Sequence, residues 1–330
     1  MNRAVLALVG LFLAFASTTF AQQSPIVDDN IFIRGGTRYY PLLRKLHINK
    51  STEQMQAESQ RGRFRFRTMI ETASMPHQKD LLAFVTPVKD QGHRGTCVAF
   101  ASVALVETLV KSANKQTMDL SEEFIYWASK SLPGATLPNS DGSFPLNMLN
   151  TAAKYGVPAE QVWPYELRGW WSDSTNHKNC VDAYKKNPEK LPTECVTNGT
   201  APQAASEAQK VKVVGQQEVE TTPETIVGFI NSGFPVAIGV SVFEKAWGFD
   251  DPKSDKFIEG LVTVPDAADK EIGGHAVLIV GYDLDAQVYL FKNSWGTSEW
   301  GSKSKYPGFG TMPMNYVRKF GIAAVAKLAK

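Results

Sequence analysis

Four residues stand in surroundings that suit covalent chemistry. Cys97 ends the run Gln91-Gly92-His93-Arg94-Gly95-Thr96-Cys97 and is followed by nine apolar or small residues, Val98 to Val106. His275 follows Gly273-Gly274 and leads into an apolar stretch, and Asn293 lies in Lys292-Asn293-Ser294-Trp295-Gly296. A glutamine, a thiol, an imidazole and a carboxamide suffice for acyl transfer through a thioester. The thiol must lose its proton to become a nucleophile, which the first turn of a helix favours through its dipole and unpaired N–H groups. A histidine takes that proton and later returns it to the leaving amine. Asn293 could fix the imidazole in one tautomer, and Gln91, six residues before Cys97, could donate to the oxyanion. Asp283 is a competing orienting group for His275, and its place after Gly281-Tyr282 favours a turn instead. His93 is read as a loop residue; His47, His77 and His177 lie in no comparable context.

The elements that must hold these groups follow from periodicity. A helix is expected from Cys97 to about Lys111, apolar on most sides and therefore buried. A second runs from Ser121, its N-cap, to Lys130, with Glu122 and Glu123 in the first turn. A third spans Pro145 to Tyr155 and stops at Gly156. From Val211 the pattern turns to strands: Val211–Val214, Val236–Val242, Ala276–Tyr282 and Val288–Lys292, with a helix at Pro223–Ser232. The fold class is α+β, helical first and mainly β later.

Thr86-Pro87-Val88-Lys89-Asp90-Gln91-Gly92, the thiol at Cys97, Gly-His-Ala at 274–276 and Asn-Ser-Trp-Gly at 293–296 resemble the papain-like cysteine peptidases. So do Leu120-Ser121-Glu122-Glu123, Gly156-Val157 with Trp163-Pro164-Tyr165-Glu166, and Pro235-Val236-Ala237-Ile238. The resemblance implies a two-part fold, a helical left half and a β-barrel-like right half, with Cys97 and His275 meeting across the cleft. It implies a cysteine endopeptidase of bacterial type with Cys97, His275, Asn293 and Gln91 as catalytic groups. Gly142 and Ser143 would offer backbone to an extended substrate. Ala276 and Gly239 would border a roomy pocket for a bulky apolar side chain, and Trp295 would shield the histidine and border the substrate site. Two departures bear on rigidity: Arg94-Gly95-Thr96-Cys97-Val98 lacks the family's first cysteine, so no disulfide braces this loop, and valine replaces the following tryptophan. The 178-residue interval from Cys97 to His275 exceeds the roughly 130–150 of the family. The excess is assigned to an insertion at 168–208, between a helical part at 76–167 and a β part at 209–330. Uses of the same nucleophile for transpeptidation or ligation, or a non-catalytic peptide-binding module, are the alternatives.

Residues 1–21 read as a secretory signal: Met1-Asn2-Arg3, an apolar run from Ala4 to Ala16, and a small-residue junction at Ala21 or Ala16. That run is short for a membrane anchor, and no other stretch is read as one. The mature chain is expected to be secreted or periplasmic, where disulfides persist. Of three cysteines, Cys180 and Cys195 can pair and leave Cys97 free; a zinc site with His177 is the weaker reading because it lacks a fourth ligand. No metal or cofactor is implied. Residues 22–75 carry nine Lys/Arg against five Asp/Glu, including Arg61-Gly62-Arg63-Phe64-Arg65-Phe66-Arg67. A basic leader inhibiting its own enzyme, or a plain extension, fits this segment. A formal net charge of +2 argues against nucleic acid as a partner, leaving protein or peptide substrates.

Overall fold

The computed structural model describes residues 75–329 apart from 174, 188 and 189, with short pieces at 31–33, 39–41, 50–51 and 53–54. The signal segment, its Ala21 junction and the arginine alternation at 61–67 lie outside the described residues. The first pieces are two paired strands, β1 (Ile31–Ile33) and β2 (Tyr39–Pro41).

The left half is built on α1 (Cys97–Asn114), α2 (Glu122–Ser131) and α3 (Pro145–Tyr155). Helix α1 is apolar nearly all round and buried from Cys97 to Val110; it runs three residues beyond the expected end, through a partly exposed last turn, before Lys115 closes it at φ 59°. By length and composition it could cross a membrane, but it is the central helix of a core. Ser121 caps α2 by accepting from the Phe124 N–H at 3.0 Å. Pro145 opens α3, where its missing N–H costs nothing, and Gly156 ends it at φ 75°.

The right half is a sheet whose strands run in the order β4 (Val213–Val219), β9 (Gly321–Leu328), β5 (Val236–Phe243), β6 (Glu271–Asp283), β7 (Val288–Lys292), β8 (Phe309–Pro313), with β3 (Gln78–Asp80) also on β6. The sheet is not closed into a barrel. Strands β4 and β8 end the path, and Leu261 runs along β8 at Thr311. β8 and β9 carry glycines and alanines in place of a strong branched-residue pattern, and sequence reading passed over them. Helices α4 (Pro223–Asn231) and α5 (Met314–Phe320) pack on the sheet's outer side.

Strand alternation explains how the halves join. Ala276, Leu278 and Val280 of β6 belong to the left core with α1, whereas Val277 and Ile279 belong to the right core with Tyr289, Phe291 and Met312. Both faces of the strand are therefore covered, and its sequence reads as a continuous apolar run. Residues 168–208, expected as an addition to the fold, are anchored in the left core through Trp170, Cys180, Val181, Leu191, Cys195 and Val196. Leu191 exchanges backbone and side-chain hydrogen bonds with Asn139. Ahead of the catalytic region, the Lys50 N–H donates to the Lys319 carbonyl at 3.0 Å and its ammonium to Thr221 Oγ1 at 2.7 Å, so this point of the N-terminal extension rests on the right half.

Candidate active site

Cys97 is the first residue of α1, and no acidic residue occupies that first turn to neutralise the dipole. Its side chain is fully buried, as are Gln91 and His275. The backbone N–H groups of Ala276, Val98 and Cys97 itself favour its thiolate. Ala276 is the residue next to His275, so the opposite half acts on the thiol from close by. Burial pushes the Cys97 thiol up to about 12, outweighing those three donors, and the negative charge of Asp141 adds to the rise. Burial likewise pushes His275 down to about 4, with Asn293 pulling the other way. An isolated charge is thus disfavoured on either group.

The tautomer of that imidazole follows from its neighbours. His275 Nε2 lies 2.7 Å from Asn293 Oδ1, and the same oxygen accepts the Ser294 N–H at 2.8 Å. A backbone N–H can only donate, so this atom is the carboxamide oxygen, and Nε2 must carry the ring proton. Nδ1 is then the bare acceptor; it is buried and has no hydrogen-bond partner. Trp295 stacks on the ring at 4.2 Å and 23°, and Trp247 meets it edge-on at 5.9 Å. These rings keep water from the His275–Asn293 bond. Asn293 itself leaves the end of β7, its N–H held by the Gly308 carbonyl at 3.2 Å.

Gln91 is tied to the same motif. Its N–H donates to the Ser294 carbonyl at 2.9 Å and its Oε1 accepts from Ser294 Oγ at 2.7 Å. One hydrogen of Nε2 goes to the Arg94 carbonyl at 2.9 Å, leaving the second for another acceptor. The loop from Gln91 to Cys97, deprived of a disulfide, is held by polar groups instead. Tyr165 donates to the Gln91 carbonyl at 2.8 Å and shares a 2.6 Å hydrogen bond with Thr96 Oγ1. Arg94 forms a two-pronged, almost fully buried ion pair with Glu123 of α2 and donates to the Glu166 carbonyl at 3.0 Å. Ser294, Tyr165, Arg94 and Glu123 were not singled out as functional from sequence. Their signal was present, since each falls inside a motif quoted for other reasons.

Behind the site lies a partly buried charge cluster. The Lys89 ammonium meets Asp119 at 2.6 Å, Glu122 at 2.8 Å and Glu107 at 3.1 Å. Burial opposes its charge, but these carboxylates hold its pKa well above the usual lysine value. Lys292, next to Asn293, donates to Thr86 Oγ1 at 3.1 Å, and burial brings its pKa down to about 8.

The remaining expected residues fall as follows. Gly142 and Ser143 are buried and precede α3, with the Gly142 N–H donating to the Tyr126 hydroxyl at 2.9 Å. Gly239 and Ala276 are register partners on β5 and β6, both buried at the seam. Asp283 serves the turn after β6, accepting from the Ala286 N–H at 2.8 Å and from Gln78, so it does not meet His275. Cys180 and Cys195 form a disulfide with Cα atoms 5.6 Å apart, which removes the zinc reading, and Cys97 is the free cysteine. Among the described residues no cluster of His, Cys, Asp and Glu is arranged to hold a metal.

Known proteins resemble the chain over the same region. The chain is 29% identical over 244 residues to an uncharacterized peptidase C1-like protein of Acanthamoeba polyphaga mimivirus, covering 71% of this chain and 67% of that one. It is 27% identical over 217 residues to papain of Carica papaya, covering 66% of this chain but only 49% of papain. Among solved structures, xylellain, a cysteine protease from Xylella fastidiosa, superposes with a TM-score of 0.61 at 24% identity, over 78% of this chain and 88% of that one. The cysteine protease CMS1MS2 of Carica candamarcensis, solved with E-64, gives a TM-score of 0.51 at 25% identity, over 77% of this chain and all of that one. Residues 75–328, the whole of the region that carries the thiol, the imidazole and both carboxamides, match the description "Papain family cysteine protease", and the chain belongs to that family.

Proposed function

We propose that this protein is an exported cysteine endopeptidase that cleaves peptide bonds through a thioester on Cys97. The observation that carries the reading is the pair of hydrogen bonds on Asn293 Oδ1, which leaves His275 Nδ1 as a bare, buried base beside Ala276, whose N–H favours the Cys97 thiolate. In the first half-reaction the sulfur bonds to the substrate carbonyl carbon while the thiol proton moves to Nδ1. The resulting oxyanion takes the second Nε2 hydrogen of Gln91 and the N–H of Cys97 in the first helical turn. The C–N bond then breaks, and imidazolium returns the proton to the amine. Water, deprotonated by the same nitrogen, hydrolyses the thioester and restores the thiol.

An extended peptide would lie along the Gly142–Ser143 backbone, with an apolar side chain directed to the region of Gly239 and Ala276. Residues 1–21 direct export, and residues 22–75 act as a leader that is attached to the right half through Lys50. The test is intact-mass labelling of the exported protein by a stoichiometric thiol-directed epoxide under mild reduction. Single-site labelling faster than that of a free thiol in solution is expected for wild type, and its loss in both Cys97→Ala and His275→Ala. Labelling that proceeds equally well without His275 would overturn the assignment.

A further inference from the structure

The loop before Cys97 and the loop of Gly142 meet at one carboxylate. Asp141 Oδ2 accepts the Gly95 N–H at 3.2 Å, two residues before the nucleophile. Asp141 Oδ1 accepts the Gly142 N–H at 3.0 Å and the Tyr126 hydroxyl of α2. Tyr126 in turn accepts the Gly142 N–H at 2.9 Å. Lys130, one turn further along α2 and buried, closes the same loop from beneath by donating to the carbonyls of Leu137 at 3.1 Å, Ser140 at 2.9 Å and Gly142. A Cβ at Gly95 would run into the Asp141 carboxylate, so glycine is what lets the two loops touch. The arrangement joins the nucleophile loop to the substrate-binding loop through hydrogen bonds alone.

We propose that Asp141 is a positioning residue for this reaction: its carboxylate latches the Gly95–Cys97 turn to Gly142, and its charge beside the thiol sets how acidic a solution the Cys97–His275 pair tolerates. The inference rests on Cys97 being the nucleophile. The charged and titratable groups that face this carboxylate are Tyr126 and Lys130 of α2, Arg94 and Cys97 of the nucleophile loop, and Tyr165. Burial pushes Lys130 down to about 8, opposed by Asp141, so at neutral pH the ammonium is charged. A negative charge at this point disfavours thiolate and favours imidazolium. Its removal lowers the pKa of either partner, and Lys130 and Arg94 left behind act in the same direction.

The experiment is the pH dependence of Cys97 alkylation by iodoacetamide, a neutral reagent, followed by intact mass on the full chain. For Asp141→Asn the acid limb is expected to move down by about half a pH unit or more. Tyr126→Phe keeps the charge and removes two of the latch's hydrogen bonds; its plateau rate should fall several-fold with the midpoint in place. Should Asp141→Asn not fold, Gly95→Ala displaces the carboxylate from the other side and should move the midpoint the same way. A midpoint that stays at the wild-type value in the folded Asp141 or Gly95 variant overturns the proposal. Failure of the underlying reading looks different, since wild-type Cys97 would then show no accelerated, histidine-dependent alkylation at any pH.

Discussion

On the left side of the cleft the residues beside Cys97 are held by charges and hydrogen bonds, whereas on the right those around His275 are held by aromatic rings. The left wall uses Arg94 on Glu123, Asp141 on Gly95, and Tyr165 on both ends of the loop. The right wall uses Trp295, Trp247 and Trp300, all fully buried, with Phe249 and Phe291 against them. The difference follows from what each wall must fix. A nucleophile loop is irregular backbone, rich in N–H and carbonyl groups that need partners once buried. An imidazole needs one orientation and a dry surrounding, which flat apolar rings supply.

The strongest way to break the left wall is to strand one of its charges. Arg94→Met leaves Glu123 buried beside Glu166 without its partner and should cost about 3–5 kcal/mol of unfolding free energy, read by urea titration. Arg94→Met with Glu123→Leu removes both charges and should recover most of that loss. If the single variant unfolds at the wild-type urea concentration, the left wall does not depend on this pair.

The disulfide tests whether the wall extends into residues 168–208. Cys180→Ser with Cys195→Ser opens a loop of sequence separation 15 and should lower stability by about 3 kcal/mol. Activity per folded molecule should be unchanged, because neither cysteine is among the groups proposed to carry the chemistry. A selective fall in kcat/KM would instead tie this segment to the cleft.

On the right wall, Asn293→Ala removes the hydrogen bond that fixes the ring but leaves Trp295 stacked. A loss of about tenfold to a hundredfold in kcat/KM is expected, matching one buried hydrogen bond of about 1–3 kcal/mol. Trp295→Phe keeps an apolar ring over the histidine and should lose less. The reverse order would mean that shielding, and not tautomer control, is what this wall contributes.

The two walls were unequally legible in the sequence. Cys97, His275 and Asn293 sit in short motifs whose local context carries the chemistry, and α3 and β7 fall at their expected ends because Pro145, Gly156 and a branched run mark them. The partners of the left wall could not be read this way. Arg94 and Glu123 are 29 residues apart, and Asp141 and Gly95 are 46 apart, with nothing in local pattern to pair them. Sequence did show that the bracing cysteine was missing; it could not show that buried polar groups take its place. The open right-hand sheet was hidden for a related reason, since β8 and β9 find their places through long-range pairing.

The smallest effects, at most about 1.4 kcal/mol per pH unit for one proton, separate the walls by titration. His275 is lowered from 6.5 to about 4, so the unfolded chain binds the extra proton first as the solution is acidified. Its contribution to stability is present above 6.5 and lost as pH falls towards 4. Lys130 is lowered from 10.5 to about 8, and its contribution is present above 10.5 and lost as pH falls towards 8. Stability measured by urea unfolding should therefore decline in two windows, a basic one shared by Lys130 and Lys292 and an acidic one owed to His275. Lys130→Met should reduce the basic decline alone, and His275→Gln the acidic one alone. If either variant flattened both, the walls would be titrating as one unit, and the division between a polar and an aromatic side of this cleft would not hold.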